Sequence, residues 1–370
     1  MKMALVLTTI NVPHLLIGYA DNFERYGHKD DVEFLVIGDL KTPAEAEAPI
    51  RKLQSRGFQA EYLDIPKQKE WLRRFPELDA TIPVNSDNRR NIGFLMAVER
   101  GADVIVSIDD DNYATAGDYY GGHIIVGSTR ELRTAASSNG WFNICSLLET
   151  DPPRTIYPRG FPYSKRWSDQ AEFHVSRGRI VLNAGLWLGD PDVDAVTRLN
   201  EPLQVVRAAE ETIMLAPGVL CPVNTQNTAF HRSVLPCYYY ITMDALIDGL
   251  KVDRYGDIWS GLFAQKIIAR MGDRVSVGAP LTDHRRNNHD LLRDLREEIS
   301  GMILTESLIP MLDSIELHSS TYEDAYLELA SSLAEQAESM ERFSPSVKRY
   351  FSQVGKAMAV WVDVCKAIMR

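Results

Sequence analysis

The sequence predicts an α/β fold: a largely parallel sheet with helices on both faces. Two observations carry this. In the first third of the chain, short runs rich in Val, Ile, Leu and Phe alternate with longer amphipathic stretches. Runs that apolar are buried on both sides, and strand–helix–strand repetition supplies helices to cover them. The strand-like runs are residues 4–8, 32–37, 58–63 and 103–108, and the helical stretches between them are 13–26, 43–56 and 91–100. The last stretch follows Ser86-Asp87-Asn88 and precedes Gly101, which are start and stop signals. Ligands of such sheets gather beyond the carboxyl ends of the strands. That rule points at residues 8–11, at Gly38-Asp39 and at residues 109–112.

With 370 residues the chain has room for one large domain with extensions or for two modest ones. A formal net charge of −11 argues against a nucleic-acid binder, which carries a basic face. It leaves room for a small anionic ligand, because a local pocket can be basic or metal-filled. Cys145, Cys221, Cys237 and Cys365 are scattered without CxxC spacing, so they read as buried free thiols rather than a zinc set. The N-terminal residues run straight into Thr8-Thr9 and read as a first strand, not a signal peptide. No apolar run approaches the roughly 18 residues that span a bilayer. A cytoplasmic protein without a membrane span is expected.

Later segments change character. Pro152, Pro153, Pro158 and Pro162 interrupt any helix, and residues 180–188 are strand-like. A helical stretch at 257–271 leads into strand-like 275–277 and a polar loop at 282–288. From residue 291 the chain reads as helical. Phe351, Val354, Met358, Trp361, Cys365 and Ile368 fall at helical spacing, a stripe that faces either the core or a second copy of the chain.

The sharpest chemical signal is the strand 104–108 delivering Asp109, Asp110 and Asp111 to its carboxyl end. Three packed carboxylates repel and resist desolvation. A hard divalent ion, Mn²⁺ or Mg²⁺, with diphosphate oxygens completing its shell, would resolve this; a solvated acidic turn is the alternative. Just upstream, Arg89 and Arg90 stand at a helix start, where a cation opposes the helix dipole. An anion docked there would explain them, and so would a solvated surface turn.

The order of these segments resembles glycosyltransferase family 75, the reversibly glycosylated polypeptides, whose plant members include UDP-arabinopyranose mutases. The resemblance rests on Thr8-Thr9-Ile10-Asn11, Asn91-Ile92-Gly93 and Ile108-Asp109-Asp110-Asp111. It continues through Tyr157-Pro158-Arg159-Gly160-Phe161-Pro162-Tyr163-Ser164, Gly185-Leu186-Trp187-Leu188 and Pro191-Asp192-Val193-Asp194-Ala195, and ends with Tyr255-Gly256-Asp257-Ile258-Trp259-Ser260-Gly261. It covers roughly residues 5–312. The chain departs from the family pattern at Gly38-Asp39-Leu40-Lys41-Thr42, which keeps one aspartate of the plant Asp-Gly-Asp-Pro loop, and at residues 201–217.

The resemblance implies a glycosyltransferase type A (Rossmann-like) mixed sheet over residues 1–290, with a helical C-terminal extension over 291–370. It implies a metal site of Asp109, Asp111 and His284, and imidazole is a suitable added ligand for Mn²⁺; an exposed loop histidine is the alternative. Thr8, Asn11 and Asp39 would form the nucleoside pocket, Asp109 and Asp110 of the acidic run would bind the nucleotide sugar, and Arg89, Arg90 and Arg159 would address phosphates. Arg159 also matches the self-glycosylated arginine of the plant proteins. Asp257 is the candidate base, although it could merely cap its helix. Trp187 and Trp259 offer flat faces for a sugar or for core packing. The leading expectation is transfer of a sugar from a nucleotide diphosphate, UDP above all, to a hydroxyl acceptor. A UDP-sugar pyranose/furanose mutase and a non-catalytic nucleotide-sugar binder are the alternatives, and copies associating through the C-terminal helices are a further expectation.

Overall fold

The computed structural model describes residues 1–168, 170–243, 245–287 and 290–369; Asn288 of the polar loop lies outside them. The four strand-like runs form neighbouring parallel strands in the order Gln59–Leu63, Val32–Gly38, Met3–Thr9, Val104–Ile108. Side chains alternate across the pleat. Ala4 and Val6 enter one core cluster, while Met3, Leu5 and Leu7 enter the other on the opposite face. Helices Leu16–Tyr26, Glu47–Ser55 and Arg90–Glu99 connect these strands. The first begins three residues later than the sequence periodicity suggests, since residues 13–15 form a turn.

Beyond Val104–Ile108 the sheet stops being parallel. Asn227–His231 pairs antiparallel with it, followed by Ala171–Ala184, Thr129–Ser137, Thr212–Leu215 and Arg274–Gly278. Arg274–Gly278 also pairs with Ala171–Ala184, so this end curls back on itself. The result is a mixed, helix-flanked sheet, as expected above. The parallel sheet read from the periodicity holds for its first four strands only.

A second sheet lies against the carboxyl edge of the first. Its five strands run Asn112–Ala114, Thr282–His284, Trp187–Gly189, Gln204–Ala208, Leu148–Asp151. In its register His284 stands opposite both Asn112 and Gly189. This carries a late histidine to the end of the acidic run.

The C-terminal segment forms helices Leu291–Ser314, Tyr322–Ser339 and Pro345–Ile368, each with a side-chain cap, from Asp290, Thr321 and Ser344. The predicted stripe is buried within the chain itself: Phe351, Met358, Trp361 and Cys365 are fully enclosed, Val354 is buried, and Ile368 packs alongside. Phe351 stacks on Trp259, and the Trp361 indole N–H donates to the Leu235 carbonyl at 2.8 Å. The face that suggested contact with a second copy is therefore taken by the chain's own core, and one core cluster runs from the sheet through all three helices. All four cysteines are buried and free. No helix among the described residues is long and apolar enough to cross a membrane.

Trp361→Ala should therefore act as a core truncation. It removes a fully buried ring together with its bond to the Leu235 carbonyl, so a loss of about 3–5 kcal/mol is expected. Urea titration followed by circular dichroism checks this; a loss below about 1 kcal/mol would show that the helix is a loosely attached appendage.

Candidate active site

The three strand ends singled out by the sequence meet in one cleft of about 410 Å³. Thr8, Thr9, Gly38, Asp39 and Asp109–Asp111 line it, with Arg89, Arg90, Arg159, Asp257 and His284. Asn11 sits beside it, exposed, donating from Nδ2 to Asp110 at 3.0 Å. Trp187 is the expected ligand contact that the structure moves elsewhere. It is buried in the main core cluster, in a central strand of the second sheet, where the apolar ring fills space between layers. Trp259 is likewise enclosed, its N–H bonded to Thr305 at 2.9 Å.

Arg90 forms the floor. Its Nη1 donates to Ser107 Oγ, the Ile108 carbonyl and the Thr225 carbonyl at 2.6, 2.9 and 3.0 Å; its Nη2 donates to Thr8 Oγ1 at 2.8 Å and Asp109 Oδ1 at 2.5 Å. Burial alone would lower its pKa, but the Asp109 charge prevails and raises it. Both Nη groups are thus engaged by protein, which corrects the expectation that Arg90 greets a phosphate. Arg89 is buried beside it, donating from Nε to Gln68 at 2.6 Å and from Nη1 to the Pro83 carbonyl at 3.3 Å. Its Nη2 is buried without a partner, and burial lowers its pKa.

Asp39 organises the opposite wall. Its carboxylate accepts from the backbone N–H of Leu40, Asn85 and Ser86 at 2.7, 2.8 and 2.9 Å. It joins the end of the second strand to the loop that precedes Arg89.

The three aspartates have different partners. Desolvation pushes Asp109 up to about 6, against the pull of Arg90 and with the repulsion of Asp111. Asp110 accepts from Thr9 Oγ1 at 2.6 Å and from Asn11. Asp111 faces His284, Oδ2 to Nε2, at 3.4 Å. Burial works against its charge, but the hydrogen bond and charge of His284 hold its pKa below the usual carboxylate value. The same pair raises the His284 pKa although burial would lower it. His284 Nδ1 donates to the Asp190 carbonyl at 2.5 Å, which fixes the ring and turns Nε2 toward Asp111.

This donor set fits a hard divalent cation. A carboxylate and an imidazole oriented by a backbone carbonyl are a common ligand pair, and ions of this class take their other ligands from waters and substrate phosphates. Among the described residues no three His, Cys, Asp or Glu side chains close around an ion by themselves. Asp109, turned to Arg90, stands apart from the Asp111–His284 pair, which corrects the three-ligand set expected from sequence.

At the other end Arg159 is clamped between two carboxylates. Nε and Nη2 approach Asp192 at 3.1 and 3.3 Å, Nη1 and Nη2 approach Asp257 at 3.2 and 2.9 Å, and Nη1 also donates to the Arg254 carbonyl. Burial would lower the Arg159 pKa, but Asp192 and Asp257 drive it far up. Burial likewise opposes ionisation of Asp192, yet Arg159 holds it at about 2. Both Asp257 oxygens are thus occupied by a guanidinium, which is a poor state for the base proposed from sequence. The clamp also keeps Arg159 protonated, and a protonated guanidinium is no nucleophile.

A sequence profile of the reversibly glycosylated polypeptide family matches residues 58–369. The chain belongs to that family. The match begins after the first two strands and extends through the C-terminal helices, further than the motifs alone reach. A probable UDP-arabinopyranose mutase 4 of Arabidopsis thaliana is 28% identical over 280 residues, 74% of this chain and 70% of that protein. UDP-arabinopyranose mutase 3 of the same plant is 30% identical over 212 residues, about half of each chain at 56% and 53%. Among solved structures, glucosyl-3-phosphoglycerate synthase from Mycobacterium tuberculosis with Mn²⁺ and UDP-glucose aligns at 14% identity and a TM-score of 0.39, covering 82% of this chain and 78% of that one. The mannosyltransferase PcManGT from Pyrobaculum calidifontis with GDP-Man and Mn²⁺ aligns at 10% identity and a TM-score of 0.38, covering 99% and 73%.

Residues the sequence did not single out for a role complete the cleft: Asp192, Arg198, Tyr240, Arg254 and Arg286. Asp192 stands in one of the family motifs and Arg286 beside His284, so weak signals existed for both. Arg254 has a left-handed backbone (φ 60°), uncommon for a side chain of its size.

Gly160 tests the clamp. Its φ is 84°, and a Cβ there would collide with Cγ2 of Ile258, next to Asp257. Gly160→Ala should shift the Arg159 loop off its carboxylates and destabilise the fold by about 1–3 kcal/mol. A thermal melt with Tm unchanged would show that the loop tolerates displacement.

Proposed function

We propose that the cleft binds a UDP-sugar with a divalent cation, and that the enzyme breaks and remakes the bond between the anomeric carbon and the diphosphate. The observation that carries this reading is the Asp111–His284 pair at 3.4 Å, its imidazole fixed by the Asp190 carbonyl, at the end of the strand whose neighbours wall the cleft. Asp111 and His284 would hold Mn²⁺ or Mg²⁺. When bound, the cation neutralises charge on the departing diphosphate. Thr8 and Asp39 shape the nucleoside end, while Arg159, a fixed cation between Asp192 and Asp257, faces the sugar end.

Of the two reactions, isomerisation between pyranose and furanose forms has the better support. Transfer to an outside hydroxyl needs a carboxylate free to take its proton, and both Asp257 oxygens are bound to Arg159. In the isomerisation the C1–diphosphate bond breaks and re-forms while the ring bond C1–O5 gives way to C1–O4 and the proton of O4 passes to O5, so no acceptor is consumed and no proton leaves the sugar overall. The relatives named as UDP-arabinopyranose mutases favour the same choice. Transfer to a saccharide acceptor is the second reading.

UDP-arabinopyranose incubated with the protein and Mn²⁺, without acceptor, should yield the furanose isomer on chromatography. Sugar loss only when a saccharide is added would instead establish transfer.

Asp111→Asn should keep the unliganded melting temperature but abolish the rise that UDP gives with Mn²⁺. The metal must displace the proton that Asp111 favours on His284, so in the parent protein that rise should grow between about pH 6 and pH 8. His284→Gln should remove this growth; a His284→Gln profile that keeps the parent slope would take the histidine out of the site.

A further inference from the structure

We propose that Arg254 and Arg286 form a phosphoryl-binding subsite on the cleft wall beside the Asp111–His284 pair. The inference rests on the nucleotide-sugar reading of the cleft and assigns to it residues that the sequence did not single out.

Both residues line the cleft. Arg286 Nη2 donates to Asp294 Oδ2 at 2.7 Å, and Arg254 Nη1 approaches Oδ1 of the same carboxylate at 3.3 Å. Arg254 Nε donates to Glu298 at 3.0 Å. Arg198 beside them is committed to protein: it pairs with Asp190, whose carbonyl fixes His284, and donates to the Pro191 and Val193 carbonyls. The two arginines are joined to the candidate metal pair through the two-residue step from His284 to Arg286.

The arrangement has a direction. The Asp294 and Glu298 side chains are 5% and 2% exposed, whereas Arg254 retains 27%. The carboxylates lie behind and orient Arg254, which faces the open space, and Arg286 beside it keeps 10% exposure. Each cation has its acid behind it, so a phosphoryl group would be drawn to the sides they turn to the cleft. Planar guanidinium forks match the oxygens of a phosphoryl group, two N–H groups to two oxygens. Arg90 and Arg198, by contrast, have committed both Nη groups to protein. The phosphoryl group can come from the second phosphate of the nucleotide or from a separate phosphorylated ligand.

The test compares UDP with UMP, each with Mn²⁺, by titration calorimetry on the full chain and on Arg286→Gln, Arg286→Lys and Arg254→Gln. The parent should prefer UDP, and Arg286→Gln should lose about tenfold or more of its UDP affinity with UMP affinity unchanged. Arg286→Lys should recover part of the loss. Inorganic phosphate added to the UDP-saturated parent should cause no further thermal shift if the nucleotide fills the subsite. A shift that Arg286→Gln abolishes would assign the subsite to a second phosphorylated ligand. Unchanged UDP affinity in a well-folded Arg286→Gln protein together with no Arg286-dependent phosphate shift overturns the proposal, as does an equal loss for UDP and UMP. Should Arg286→Gln lower the unliganded Tm, Arg254→Gln decides by the same comparison. A parent protein indifferent to UDP defeats the nucleotide reading alone, because an Arg286-dependent shift with inorganic phosphate still reports the subsite.

Discussion

The cleft is held together by one buried cation. Arg90 ties the end of the first strand, through Thr8, to the end of the fourth, through Ser107, Ile108 and Asp109, and to the Thr225 carbonyl that precedes the antiparallel strand. A parallel sheet has no backbone hydrogen bonds left at its carboxyl edge, so something must fix the strand ends relative to each other. A guanidinium does this well, because its N–H groups radiate in a plane toward several acceptors. It also explains an arginine in the first turn of a helix, where the dipole disfavours it: the charge is directed down into the sheet. Removing one member of such a buried pair costs more than the pair itself contributes, since the partner is left charged and unpaired.

What the sequence could convey follows from how local each signal is. The four parallel strands and their helices were legible because buried strands are continuously apolar and helix ends carry caps and glycines. The acidic run was legible for the same reason, since an apolar strand ending in three aspartates is unusual on its own. Arg90 was visible as an anomaly but ambiguous, because anion binding and a structural tie produce the same residue at the same place. Trp187 misled in another way: an aromatic residue in a recognisable motif has no mark to distinguish a ligand platform from core.

The remainder was not legible because it depends on long-range pairing of very short strands. Asn112–Ala114, Trp187–Gly189 and Thr282–His284 are three residues each, too brief for any periodicity. Yet their register sets His284 beside Asp111 and places Gly189, with φ of 81°, against the His284 carbonyl, where a Cβ would approach within 2.5 Å. Only the family resemblance suggested His284. Nothing local suggested Arg198 or Arg254.

Those arginines also explain why the C-terminal helices and the cleft are one structure. Arg254 and Arg286 come from the sheet-bearing part of the chain, but the carboxylates that hold them, Asp294 and Glu298, come from the first turns of the helix Leu291–Ser314. Glu298 also accepts from the backbone N–H of Ala195 at 2.8 Å, at the start of the helix that bears Arg198. Cations crowded on a cleft wall cannot fix one another; they need acid from behind, and in this chain that acid belongs to the helical segment. The helix is in turn held by the core that Trp259 shares with Thr305 and Phe351. Loosening the C-terminal helices would therefore reach the cleft through ion pairs before it reached the sheet through packing.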